Sequence, residues 1–344
     1  MAGKTSQRSG PSPLLAHGRG LVFGLVLAAC LLLGGGWIVV ASQQSRATTS
    51  KARVAVAGGG RLDLHGRVLV RAVSHGDERL NGRLTLVRLG PHGRRSTPGR
   101  LACERVYEAA GRGICMSVAA SGVDYRVRIF DRKRGTVAER ALTGLPSRAR
   151  VSPSGRWGST TTFVSGDGYT SPGSFSTRTA ILDMRTGEAV AGLEQFSVER
   201  DGKTIDAPDF NFWGTTFSRD DDTFYATLAT GGRTYLVRGS LRERRVHVLR
   251  ENVECPSLSP DETRVAYKKL VGGKAHWRLH VLDLASGRDV ALSERRSIDD
   301  QVEWLDDHVV LYGDGTSVWA ARADGGGRPE RVLARAASPA VQRG

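Results

Sequence analysis

The chain has 344 residues, of which 50 are Lys or Arg and 35 are Asp or Glu, a formal net charge of +15 in a protein only 6% aromatic. That surplus does not read as a nucleic-acid footprint. Only seven of the basic residues are Lys, the Arg positions are scattered along the whole length, and no clustered run or nucleic-acid module focuses them.

The first 20 residues carry Lys4, Arg8 and Arg19 and read as a cytoplasmic segment. Leu21–Val40 follows, 20 residues without a charge. At 1.5 Å per residue it spans about 30 Å, the hydrocarbon thickness of a bilayer. It is expected to be a single-pass transmembrane anchor, N-terminus inside, that leaves the rest of the chain extracytoplasmic at the cell membrane. Two alternatives use the same residues: a signal peptide cleaved after Val39-Val40-Ala41, and a lipoprotein leader ending at Leu27-Ala28-Ala29-Cys30. A secretory apolar region runs only about 7–15 residues, and lipidation at Cys30 would leave an apolar new N-terminus. Residues 41–58, rich in Ser, Thr, Gln and Ala, read as a flexible linker.

From residue 59 to 344 a pattern returns about every 45 residues. The turn before each second strand aligns Gly66, Gly111, Gly155, Asp221, Glu262 and Asp307, at spacings of 45, 44, 66, 41 and 45. Each unit runs strand, tight turn (Ser152-Pro153-Ser154-Gly155, Ser259-Pro260-Asp261-Glu262), strand, strand, a turn with Asp and Gly four apart (Asp131–Gly135, Asp183–Gly187, Asp283–Gly287), and a fourth strand. Pro presets φ and Gly accepts φ > 0 at such reversals. Six repeats of four short strands predict an all-β, six-bladed propeller. No stretch of a dozen residues past the apolar segment shows helical periodicity, and 43 Gly with frequent Val, Thr and Tyr favour strands and turns. Ala337–Val341 mimics Glu254–Leu258, the start of unit 5, as though a seventh unit began. Either that strand or Arg61–Leu64 occupies the inner place of unit 1.

The Ser-Pro turn followed by Val265-Ala266-Tyr267, then Val281-Leu282-Asp283-Leu284-Ala285-Ser286-Gly287, resembles the repeat of TolB-type propellers. The match is best over Arg148–Ser297, and the same repeat occurs in propeller domains attached to peptidases. The resemblance implies a non-enzymatic protein-binding scaffold of the cell envelope whose partner is another envelope protein. TolB carries a small α/β domain before its propeller, whereas only a linker intervenes here. No binding residue carries over.

Cys103 and Cys115 flank the turn at Ala109–Gly111 and are expected to face each other as a disulfide; the competing reading is two buried small hydrophobes. Ser165–Gly168 and Asp220-Asp221-Asp222 cluster oxygens, but neither has the spacing of a calcium loop. His276 and His280 share a strand face, too far apart to chelate, so no metal and no cofactor is expected. No Gly-x-Ser-x-Gly elbow is present. The enzyme alternative is a lactonase or glycosidase with a metal at the central channel. The long third spacing comes from two insertions, Ser165–Thr177 and Glu194–Phe212, predicted on one face of the disc. Their aromatics, Tyr169, Phe175, Phe196, Phe210 and Phe212 with the adjoining Trp213, are candidate anchors for a partner docking on a monomer. The competing reading has these rings cover the seam between units 3 and 4.

Overall fold

Strands, and the turns between them, account for nearly all of the computed structural model, which describes residues 54–56, 62, 64–74, 76–77, 79–90, 98–133, 135–164, 176–272 and 275–343. Leu21–Val40 lies outside them, and among the described residues no helix is long and apolar enough to cross a membrane. In chain order the strands are β1 (Ala55–Val56), β2 (Gly66–Ala72) and β3 (Leu84–Leu89), then β4 (Arg105–Ala109), β5 (Arg112–Val118), β6 (Tyr125–Asp131) and β7 (Gly135–Leu142). Next come β8 (Leu145–Val151), β9 (Trp157–Val164), β10 (Ser176–Asp183) and β11 (Ala189–Gly192). The hairpin β12 (Ser197–Arg200) and β13 (Lys203–Ile205) precedes β14 (Asn211–Phe217), β15 (Thr223–Thr230), β16 (Arg233–Ser240) and β17 (Arg245–Glu251). The rest are β18 (Glu254–Leu258), β19 (Arg264–Leu270), β20 (Trp277–Asp283), β21 (Asp289–Ala291), β22 (Glu303–Trp304), β23 (Val309–Gly313), β24 (Ser317–Arg322), β25 (Glu330–Ala334) and β26 (Ala336–Gln342).

These strands form six sheets in the order of a propeller, antiparallel except where β12 joins β17. Blade 2 is β4 to β7, blade 3 β8 to β11, blade 4 β14 to β17, blade 5 β18 to β21 and blade 6 β22 to β25. Blade 1 is β26-β2-β3. The C-terminal strand therefore supplies the innermost place of the first blade, and β1 pairs with the outer edge of β25 in the last. β1 and β26 both staple the ring, and the question between Ala337–Val341 and Arg61–Leu64 resolves in favour of the former.

The turn residues aligned from sequence do what the alignment requires. Gly111, Gly155, Asp221 and Glu262 all adopt positive φ, from 57° to 76°. Only the small-residue tolerance of that region explains two Gly in the set; Asp221 and Glu262 hold it because their carboxylates work. The Asp221 carboxylate accepts from the Ser154 hydroxyl of blade 3 at 2.5 Å. Glu262 accepts from the Ser218 hydroxyl and the Arg219 N–H of blade 4 at 2.7 Å each, and Asp307 from the Asp261 N–H of blade 5 at 2.9 Å. Each latches its own blade to the preceding one.

A second repeated device lies in the inner strands. Their ladders shift register at Pro146/Arg148, Trp213/Thr216 and Glu254/Ser257, with a matching shift where β2 meets β26. Gly214, Cys255 and Ser338 take positive φ at these bulges, the latter two followed by Pro, which needs no ladder partner there. A Cβ on Gly214 would meet the Cys255 Cα at 2.6 Å, so adjacent bulges touch and only Gly fits.

Candidate functional site

Because all six inner strands run the same way around the axis, their C-terminal ends converge on one mouth of the channel. There a cavity of about 570 Å³ draws its lining from every blade. Ala110, Pro153, Ser154, Arg219 and Pro260 belong to the turns at its rim, with Leu258 on the wall; its floor is polar.

The floor is a buried knot. Arg150, from β8, and Glu303, from β22, are 5% and 3% exposed and pair at 2.6 Å. The same Glu303 oxygen accepts the Tyr107 hydroxyl at 2.9 Å, and the Arg150 guanidinium lies 4.4 Å over the Tyr107 ring. Arg150 also donates to the Ser257 hydroxyl and the Val302 carbonyl, both at 3.2 Å. The second Glu303 oxygen accepts from the Val341 N–H at 3.3 Å and from Arg343 at 3.2 Å. Burial opposes the charge on Arg150, but Tyr107 and Glu303 more than offset it and its pKa is raised. Burial, then Glu303, raises that of Tyr107. Blades 1, 2, 3, 5 and 6 are thus tied at the axis. The lone pairs of Glu303 are largely consumed by the knot, whose chemistry is structural closure of the channel.

Cys103 and Cys115 form a disulfide, with Cα atoms 5.4 Å apart. The geometry differs from the symmetric hairpin expected. The ladder sets Cys115 opposite Val106, and Cys103 lies beyond the strand, where its N–H turns aside to the Gly82 carbonyl at 2.9 Å. Cys255 is buried.

Among the described residues none of the insertion aromatics lines the central mouth, and Phe210 lines a separate cavity with Thr177 and Glu194. Tyr169 and Phe175 lie outside the described residues. Phe212, Phe196 and Trp213 are buried, and Phe196 packs edge-on against Phe224 at 5.9 Å. Phe210 is half-buried against the same core. The burial of these rings has a plain cause. Part of the insertion Glu194–Phe212 folds into β12 and β13, which extend blade 4 outward through a parallel pairing of β12 with β17, and the rings seal that extension.

Among the described residues no group of three or more His, Cys, Asp or Glu is placed to hold a metal ion. Asp220 caps its own turn through the Asp222 and Thr223 N–H groups, and Asp222 accepts from Ser240 and Arg242. His280 bonds Asp289 at 2.8 Å. The knot residues escape notice in the sequence because they come from separate repeats. A signal exists nonetheless: Tyr107, Arg150, Ser257 and Glu303 each stand four or five residues before an aligned turn residue, Gly111, Gly155, Glu262 and Asp307.

No protein-family model and no curated protein matches this chain. Among solved structures, TolB from Acinetobacter baumannii is similar, with 16% identity and a TM-score of 0.54 over 82% of this chain and 68% of that one. A chain of the nidogen/laminin complex is similar with 11% identity and a TM-score of 0.53, covering 80% of this chain and 97% of that one. A putative TolB from Agrobacterium tumefaciens shows 9% identity and a TM-score of 0.47 over 80% and 92%. The likeness is one of fold: this chain, like them, is a β-propeller, here of six blades.

Proposed function

We propose that this protein is a non-enzymatic, extracytoplasmic binding module, tethered to the cell membrane by Leu21–Val40, that seats a protruding segment of an envelope protein in the mouth above the Tyr107–Arg150–Glu303 knot. The observation that carries the reading is the cavity itself, about 570 Å³ and lined from all six blades. Its volume is that of an ordinary ligand site, its wall mixes Leu258, Phe217, Pro153 and Pro260 with Arg219 and Arg343, and its floor charges are already paired. A rigid bowl of that kind suits a partner's loop or terminus, with apolar anchors desolvated at the centre and exposed Arg219 at the rim. The disulfide between Cys103 and Cys115 supports an oxidising compartment.

The test is crosslinking capture from native membranes with the wild type beside Leu258→Asp. Leu258 is half-buried on the cavity wall, and a carboxylate there leaves the knot intact. A partner held in this mouth should be lost by roughly tenfold or more, as for a hot-spot residue. Equal capture by a folded Leu258→Asp sinks the site. A purified protein that turns over small esters or glycosides without capturing any partner sinks the non-enzymatic reading.

A further inference from the structure

Among the described residues the large apolar side chains that stand open to solvent are unevenly spread. Val137, Val190 and Leu249 lie on the outer strands β7, β11 and β17. Val118, Val123, Leu145 and Leu270 all lie at the end of the disc opposite the large mouth, where a blade's second strand turns into its third or one blade passes to the next. None of them lies on the turns of the large mouth.

Register makes part of this set contiguous. Val118 stands opposite Tyr125, and Tyr125 opposite Leu142, so these three side chains form a row across the far edge of blade 2. In blade 3 Leu145, 50% exposed, stands opposite the half-buried Phe163. Val123, 78% exposed, sits on the turn between β5 and β6. That turn is held without it. The Asp124 N–H donates to the Ser121 hydroxyl at 3.2 Å, the same hydroxyl donates to the Asp124 carboxylate at 2.9 Å, and the Ala119 N–H reaches the Asp124 carbonyl at 2.7 Å. A polar residue at 123 would serve the turn equally, so the open valine adds nothing to the fold. Contiguous open apolar groups of this kind mark contact surfaces, whereas isolated ones do not.

The chain also enters the ring at this far end. β25 runs from Glu330 to Ala334, where Arg335 leads into the inner strand β26. β1 pairs antiparallel with it, Ala55 with Ala334 and Val56 with Leu333, so β1 starts at the far end with the buried Val54 just before it. By Leu62, whose N–H donates to the Glu330 carboxylate at 3.2 Å, the chain has crossed to the end of the large mouth. Residues 41–53 separate Val40 from Val54 and reach about 45 Å at full extension.

We propose, on the reading of Leu21–Val40 as a membrane anchor, that the far edge of blades 2 and 3, with Val118, Val123, Tyr125, Leu142 and Leu145, docks on the lipid bilayer and turns the large mouth away from it. Interfacial binding scales with the apolar area buried, and an edge of this size is weak alone. A tether that enters at the same end makes the contact intramolecular, at an effective concentration of about millimolar for a short linker, so a weak contact suffices. Tyr125 suits the headgroup level, with an apolar ring and a polar tip. The contact is apolar and not ionic, since Arg126 beside it is held by Glu139 at 2.5 Å and Asp124 by its own turn. With the edge seated, a partner reaches the large mouth from the side away from the bilayer.

The experiment holds the full chain in phosphatidylcholine nanodiscs whose acyl chains carry bromine, a quencher that acts at contact. A fluorescent amino acid is placed at 123 or, on an exposed turn at the large-mouth end, at 242. Quenching is expected to be severalfold stronger at 123 than at 242, and to fall to the level of 242 when Val118→Asp and Leu145→Asp are combined. If that double variant does not fold, Leu145→Asp alone is measured with the same expectation. Protein that stays in the nanodisc with equal quenching at the two positions, or with quenching at 123 unchanged by the Asp substitutions, overturns the docking and leaves the anchor standing. Protein that does not enter the nanodisc at all overturns both.

Discussion

Glu194 illustrates how one side chain sets a pH dependence. Burial pushes its carboxyl up to about 7 from an ordinary 4.5, although it accepts the Thr179 N–H at 2.8 Å. An acid whose folded pKa is raised binds more protons folded than unfolded, so stability falls as pH rises from about 4.5 to 7 and stays low above that window. With its partial exposure discounted, the loss is on the order of 2 kcal/mol. Glu194→Gln keeps the acceptor oxygen and removes the titration. Melting temperatures of variant and wild type should therefore diverge in favour of the variant between pH 5 and pH 8; a constant difference across that range means the carboxyl titrates normally. Nothing in the sequence marks this residue. Its burial arises because Gly192 ends β11 early and Leu193–Gln195 turns the carboxylate back toward β10, a contact between segments that no repeat alignment pairs.

At the scale of elements, the meander was legible wherever a turn needs a particular backbone. Gly187 and Gly287 take φ of 71° and 72° and close on the carbonyls of Asp183 and Asp283, as the Asp–Gly spacing requires. The insertion Glu194–Phe212 holds a hairpin signal, Asp201-Gly202, whose φ values of 52° and 73° are those of a primed turn. The long spacing drew attention to length, and the dipeptide inside it carried the structure. The disulfide was legible as a pair but not in register, because the chain leaves the ladder between Cys103 and β4. With its cysteines 12 positions apart in sequence the bond closes a short loop, worth about 3 kcal/mol through the unfolded chain. Cys103→Ala should lower the melting temperature by a few degrees in oxidising buffer and leave the wild-type and variant curves together once reductant is added. An equal deficit in both buffers would mean that packing of the buried thiols, and not the bond, was lost.

For the whole molecule the decisive event is closure of the ring, and the sequence left it ambiguous for a physical reason. Pro256 and Pro339 both follow a bulge residue with positive φ, so Ala337–Val341 looks like the start of a blade; it is one, supplied from the far end of the chain to β2. Locally the two segments are equivalent, and only the pairing of residues more than 260 apart in sequence, such as Val68 with Val341, tells the last strand from a beginning. Closing so long a loop carries a high entropic cost, yet these contacts seal the axis, since Val341 and Arg343 complete the bonds of Glu303. The two stapling strands are therefore unequal. β1 adds two residues to an outer edge, whereas β26 fills the inner place of blade 1 and buries Ala336, Ala340 and Val341. Ending the chain at Ala334 strips β2 of its inner partner and leaves the Arg150–Glu303 pair open to water. That truncation should abolish cooperative thermal unfolding, while deletion of Ala55-Val56 should leave a single transition at a lower temperature. A chain ended at Ala334 that still melts in one sharp step near the wild-type temperature would show that the ring holds without its C-terminal strand.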